Sequence, residues 1–328
     1  MNSTRRIFAI AAAAALVAPG GAAMAGTNIT LCGASPGGLW SLLGAGLDAA
    51  VRKVDPESTV TYQTSSGGFA NIVQLREHKC DLAIVHIGEV TIAARGEEPF
   101  KEPTGGIAAV SLLYSWAPMQ WVIGKEYAEE NKLSSIADLA ALQNSFDLVV
   151  NKRGILPSIL AEKSLDAAGT TFAQLEERGG SIQYQGSQTA AEIMQDGKAD
   201  AWVNATFIGD GAIKSISESR ALTLLSVPAD VIKVMEESYG SKAFTIPAGA
   251  YDWLDHDIET FAAQAALVAS DDADPAIITL VSKAIFEHTD EIKNVHKAMA
   301  AFDGAVAASI TELPYHPAAA EVIKAAGF

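Results

Sequence analysis

The residue types that carry most enzyme and metal chemistry are thinly spread in this chain. Its six histidines (His78, His86, His256, His288, His296 and His316) include no i,i+4 pair and no zinc-helix motif, and two cysteines, Cys32 and Cys80, cannot make a structural zinc site. The G-x-S-x-G elbow, the P-loop and G-x-G-x-x-G are missing. Residues 33–38 are glycine-rich, but their spacing does not suit a dinucleotide, and a tight strand-to-helix turn explains them equally well. What remains is a set of short polar loops, each closing an apolar run and opening a helical pattern. A helix N-terminus offers unpaired backbone N–H groups and the positive end of a dipole, which suits an anion. Ser65 and Ser66 add hydroxyls. Arg153 is the one guanidinium in such a loop, placed either to clamp a carboxylate or to stand exposed. Trp40, Phe69, Trp116, Trp202 and Phe207 fall at or near the same strand ends, which fits an aromatic-walled pocket or ordinary core packing. The expected chemistry is binding of a small molecule, without catalysis, cofactor or metal.

Such loops need strands and helices to hold them. Residues 29–32, 60–63 and 82–85 read as strands, each followed by a helix: 39–53, a segment with Phe69, Ile72, Val73 and Arg76 at helical spacing, and 88–95. Three successive strand–turn–helix units imply a parallel sheet with functional loops at the strand carboxyl ends. Residues 108–114 and 120–123 read as consecutive strands. A second series follows, with strands at 146–150, 182–184 and 201–204 and helices at 157–168, 189–195 and 211–217. The run 222–227 is expected to return the chain to the first lobe, and 229–328 to be mostly helical around a strand-like 261–268. The fold class is therefore α/β and bilobal, with 26–118 plus 224–328 in one lobe, 119–223 in the other, and a cleft at the hinge. Cys32 and Cys80 are placed at opposite ends of neighbouring parallel strands, so they are expected to be unpaired.

Composition sets the outer bounds. The chain has 328 residues, 49% hydrophobic and 19% charged, ordinary globular usage with length for about two lobes. A formal charge of −16, from 23 Lys+Arg against 39 Asp+Glu, repels phosphate backbones and excludes a nucleic-acid partner. Arg5 and Arg6 precede an apolar run at 7–18; Pro19-Gly20-Gly21 breaks it, and Ala23-Met24-Ala25 has the small-x-small form of a cleavage site. Residues 1–25 thus read as an export signal cut after Ala25, too short for a bilayer, using either the Sec or the twin-arginine route. Losing its two arginines and no acid takes the net charge from −16 to −18. The mature protein is expected in the periplasm.

Several segments, in order, resemble the TAXI family of TRAP-transporter solute receptors over nearly the whole mature chain. They are Gly33-Ala-Ser-Pro-Gly-Gly38-Leu-Trp40, Thr64-Ser-Ser-Gly-Gly-Phe-Ala-Asn71, Asp81-Leu-Ala-Ile-Val85, Asp196-Gly-Lys-Ala-Asp-Ala201 and Ile246-Pro-Ala-Gly-Ala-Tyr251. Leu313-Pro-Tyr-His-Pro-Ala318 and Ala326-Gly-Phe328 look like the family's terminal signature. The resemblance implies a periplasmic-binding-protein fold of type II-like form, with two parallel or mixed-sheet lobes. It also implies closure on a small organic acid or amino acid and delivery to the membrane permease subunits of a TRAP transporter. Gly38, Trp40, Ser66, Gly67, Phe69, Asn71 and His86, after the third strand, would line the cleft. Leu39, Ser65 and Trp116 join them, and Arg153, Leu156, Ser158, Asn204 and Phe207 complete the expected ligand-contacting set.

Three departures bear on the ligand. The family's Gly-Ser-Gly-Thr-like turn is replaced by Lys152-Arg-Gly-Ile-Leu-Pro-Ser158, where Pro157 has no N–H to offer. His86 stands where the family often has Gln, and Trp116 where it frequently shows an acid. Both changes make the site less polar and count against a glutamate-type ligand, favouring a carboxylate with an apolar or aromatic portion. The competing functions on the same fold are the receptor of an ATP-driven uptake system and the binding partner of a sensor kinase.

Overall fold

The computed structural model describes residues 26–328, so the export signal read at 1–25 lies outside the described residues. The chain opens with β1 (Asn28–Cys32), α1 (Leu39–Val54), β2 (Thr59–Gln63), α2 (Gly68–Arg76), β3 (Leu82–His86) and α3 (Ile87–Arg95). The long β4 (Ile107–Gly124) leads into α4 (Lys125–Asn131), β5 (Asp147–Val150), α5 (Leu156–Ala167), α6 (Phe172–Glu177), β6 (Ser181–Tyr184), α7 (Ser187–Gln195) and β7 (Ala201–Ala205). Then come α8 (Gly211–Ser217), β8 (Leu222–Leu225), α9 (Ala229–Tyr239), β9 (Lys242–Ile246) and β10 (Ile258–Ser270). Helices α10 (Pro275–Glu287), α11 (Thr289–Lys293), α12 (Gly304–Ala307) and α13 (Pro317–Ala325) close the chain.

The strands join in the order β2-β1-β3-β10-β4-β7-β5-β6, with β8 added to β4 and β9 to β10. At one end β1 pairs in parallel with β2 and β3; at the other β5 pairs in parallel with β6 and β7. The antiparallel β4 and β10 stand between these two groups. Both faces are covered by helices, which explains why β10 is apolar almost throughout rather than alternating: Phe261 to Ala263 and Ala265 to Ala269 are all buried.

The expected break between strands 108–114 and 120–123 does not occur. β4 runs unbroken for 18 residues, although it contains Pro118. The missing N–H costs no ladder bond there, because Pro118 sits where the strand changes partners. Residues up to Pro118 pair with β10, whereas Met119 to Gly124 pair with β7 and β8. β10 changes partners at the same level: Ile258 to Ala262 pair with β9, and the rest with β4 and β3. The β4–β10 ladder carries register shifts close to this point. The mostly helical stretch expected over 229–328 is also interrupted near its end: α11 ends at Lys293, and His296 restarts a short turn by accepting the Ala298 N–H at 3.1 Å.

Cys32 and Cys80 are joined as a disulfide, with Cα atoms 5.8 Å apart, which corrects the expectation that they are unpaired. The mistake lay in setting the two strands flush. In the observed register Cys32, the last residue of β1, faces Ala83, near the start of β3, so the end of one strand meets the beginning of the other. The Asp81 N–H bonds to the Thr30 carbonyl at 3.0 Å, drawing the entry to β3 back along β1. Both sulfurs lie in the apolar layer with Ile72 and Leu75 of α2. Among the described residues no helix is long and apolar enough to cross a membrane, and no cluster of three or more His, Cys, Asp or Glu is arranged to hold a metal ion.

Candidate functional site

A cleft of about 630 Å³ lies at the carboxyl ends of five parallel strands, drawn from both ends of the sheet. Ala34 and Ser35 follow β1, Ser66 to Ala70 follow β2, His86 ends β3 and Glu89 follows it. Facing them, Asn151 to Pro157 follow β5, and Gly186 and Ser187 follow β6. This is where open α/β sheets place ligands, since the loops there are free of the ladder and each one opens a helix.

Of those helices α3 carries a capping box, Glu89 accepting the His86 N–H, whereas α2, α5 and α7 begin without side-chain caps. Gly67, Ile155 and Gly186 precede α2, α5 and α7, and none supplies a capping oxygen. By contrast α8, α10 and α12, away from the cleft, start at Asp210, Asp274 and Asp303, whose carboxylates accept first-turn N–H groups. α2, α5 and α7 therefore leave donors and positive dipole ends turned toward the ligand space. Pro157, in the first turn of α5, removes one donor. Gly67 makes the tightest bend, at φ 119° and ψ −168°, a backbone region essentially reserved for glycine.

The β5 side carries the cations. Lys152 and Arg153 both line the cleft, and the Arg153 guanidinium lies 3.8 Å from the Tyr184 ring centroid. Stacking of this kind holds the guanidinium in place while leaving its edge donors available. Burial raises the Tyr184 phenol above its ordinary range, and the positive charge of Arg153 opposes that rise. A second cavity of about 580 Å³ adjoins the cleft and shares Arg153 and Gly154 with it.

The β3 side carries an acid and an imidazole. Glu89 is 3% exposed, and its Oε2 accepts the backbone N–H of His86 at 2.8 Å. His86 Nδ1 is 3.4 Å from the same oxygen and makes no hydrogen bond of good geometry. The Trp40 ring stacks obliquely on His86, with centroids 5.0 Å apart, and its Nε1 donates to the Tyr114 hydroxyl at 3.1 Å. Burial pushes the Tyr114 phenol far above its usual value; the Trp40 hydrogen bond lowers it and the nearby Glu89 charge adds to the rise.

Residues 31–327 match the sequence profile of the NMT1-like family. The chain belongs to that family. No curated protein matches its sequence. Two solved structures share its architecture. A TctC solute-binding protein from Polaromonas is 13% identical, with a TM-score of 0.52 over 92% of this chain and 95% of that one. MatC from Rhodopseudomonas palustris, solved with bound malate, is 12% identical, with a TM-score of 0.51 over 92% and 97%. At such identities the likeness is one of fold: this NMT1-like chain has the α/β, curled mixed-sheet fold of periplasmic solute-binding proteins.

Within this NMT1-like cleft the structure gathers Trp40, Ser66, Gly67, Phe69, His86, Arg153 and Leu156 of the residues singled out from the sequence. The others stand elsewhere. Gly38 and Leu39 begin α1 beside the lining, with Gly38 as its N-cap. Ser65 accepts the Gly67 N–H at 2.9 Å and donates to Asn71 Oδ1 at 2.6 Å, and Asn71 Nδ2 donates to the Ile84 carbonyl. This pair shapes the β2–α2 loop from behind. Ser158 ties α5 to its loop by donating to the Lys152 and Ile155 carbonyls, and Asn204 accepts from Asn151 Nδ2 at 2.8 Å. Trp116 donates to the Ala298 carbonyl, and Phe207 packs edge-on against Tyr114; both are partly buried, packed against the core cluster that holds Trp40 and Tyr114. Sequence reading missed Glu89, Asn151, Lys152 and Ser187. For Glu89 the available signal was its place three residues after His86 at a helix start.

Proposed function

We infer that this NMT1-like protein is an exported solute-binding receptor that closes around a small organic carboxylate. One observation carries the reading. Uncapped N-termini of α2 on one wall and of α5 and α7 on the other, with Arg153 among them, face a single cleft built from both ends of the sheet. One anion can engage both walls there, and contacts to both walls favour a closed state over an open one. We place the meeting of the lobes where β4 and β10 exchange partners, at Pro118 and Ala262, a division that carries the second lobe on to about 258, past the 119–223 expected from the sequence. That level, with its irregular ladder, is the hinge. Trp40, Phe69 and Leu156 give the cleft its apolar portion, and the malate held by MatC is in keeping with a carboxylate ligand.

The ordered motifs from Gly33 to Phe328 support the finer reading, a TAXI-type receptor serving a TRAP permease in the periplasm. A thermal-shift screen of organic acids finds the ligand, and calorimetry then compares the wild type with Arg153→Ala. Loss of a charged hydrogen bond predicts affinity at least tenfold weaker. An unchanged dissociation constant removes Arg153 from the site.

A further inference from the structure

Among the residues lining the cleft, His86 is the one histidine, the residue type that ordinarily changes charge near neutral pH. It ends β3 and serves as the N-cap of α3, with its ring against Trp40 at 5.0 Å between centroids. Its two ring nitrogens are placed unequally. Nδ1 is buried without a hydrogen-bond partner and lies 3.4 Å from Glu89 Oε2, an oxygen that already accepts the His86 backbone N–H. A bare Nδ1 would set its lone pair against a carboxylate, so the hydrogen of a neutral ring belongs on Nδ1. Nε2 is then the nitrogen left for the ligand space. In the neutral ring it is an acceptor and repels a carboxylate; only the imidazolium carries an N–H donor on both nitrogens.

Charged groups pull both ways on this ring. Glu89 of α3 favours a second proton, and Trp40 of α1 lies within the range at which an aromatic ring favours a cation. The positive ends of α2 and α3 oppose it, as do Lys152 and Arg153 on the β5 wall. Tyr114 of β4, bonded to Trp40, keeps its phenolic proton and adds no charge. A carboxylate entering the cleft brings a negative charge and tips this balance.

We propose that His86 grips the ligand carboxylate through Nε2 as an imidazolium, so that binding takes up a proton from solution. The proposal rests on the carboxylate reading of the cleft and adds a second cation to it: Arg153 holds the anion from one wall and protonated His86 from the other. Because the complex keeps a proton that the free protein does not, affinity is highest on the acid side and falls as pH rises through neutrality.

The test is calorimetry of wild type and His86→Gln with malate, butanoate and 3-phenylpropanoate at about pH 7.5, in two amine buffers of unlike ionisation enthalpy. The difference in apparent binding enthalpy counts protons, and because carboxylates are already ionised at that pH, any proton taken up goes to the protein. With a probe that binds, the wild type is expected to take up about half a proton or more per ligand, and to bind about tenfold more tightly at pH 6 than at pH 8. His86→Gln keeps the backbone N–H that Glu89 accepts and offers an uncharged donor, so it is expected to fold, take up no proton and bind equally at both pH values. Wild-type uptake of less than half the expected amount is the result for a neutral ring donating from Nε2; it overturns the role of His86 and leaves the carboxylate reading intact. Uptake that survives in His86→Gln puts the proton on another group and overturns it as well. Failure of all three probes to bind overturns the two together. The wild-type proton count needs no variant, so a His86→Gln protein that did not fold would still leave the proposal open to refutation.

Discussion

At Gly67 and Gly68 two adjacent glycines are required for different reasons. A Cβ at Gly67 would meet nothing within 4 Å, so only its backbone, at φ 119°, demands glycine. At Gly68 the obstacle is the Glu89 carboxylate. Gly67→Ala is therefore expected to cost about 1–3 kcal/mol of backbone strain with no steric clash. Urea unfolding measures it, and a loss under roughly 0.5 kcal/mol, the scatter of neutral surface changes, rejects the argument. Residue type pointed to the right loop here, but not to the right atoms. Ser65 and Asn71 looked like ligand contacts because hydroxyl and amide groups at a strand end serve either role. Only the fold shows their hydrogen bonds spent on the loop itself.

Among elements, the β1–β3 pair shows how register outweighs sequence distance. The short apolar runs located both strands within a residue or two, yet a parallel pair has no turn to set its stagger. The stagger brought Cys32 to the start of β3 and closed a disulfide across 48 residues. A loop of that length is worth about 4 kcal/mol in the chain-entropy account. Unfolding of the oxidised protein is expected to need more denaturant than unfolding after reduction, by that difference in free energy. Coincident curves would mean the crosslink adds nothing. β4 makes the complementary point: 108–114 and 120–123 read as separate strands, yet the strand continues through Pro118 because that residue falls at the handover between partners.

Across the whole molecule, the ladder between β4 and β10 joins the two parallel groups of the sheet, β10 pairing with β3 on one side and β4 with β7 on the other. With the proposed hinge at their exchange level, a saturating ligand is expected to lower the radius of gyration in small-angle scattering. It should also add ~2.7 kcal/mol of stability at about 100 times its dissociation constant. Stabilisation without compaction would favour binding to one wall alone.

The amino-acid order alone determined the α/β class, most strands and helices, and the loops that face the cleft, because alternating apolar runs and turn residues are local signals. Tertiary structure decided what depends on distant partners. It set the β1–β3 stagger that pairs the cysteines, the continuity of β4 through Pro118, and the packing of Trp116 and Phe207 against the core rather than in the cleft lining. It also brought Glu89 to the wall opposite Arg153. Each depends on which segment packs beside which, and no local pattern of apolar and polar residues encodes that.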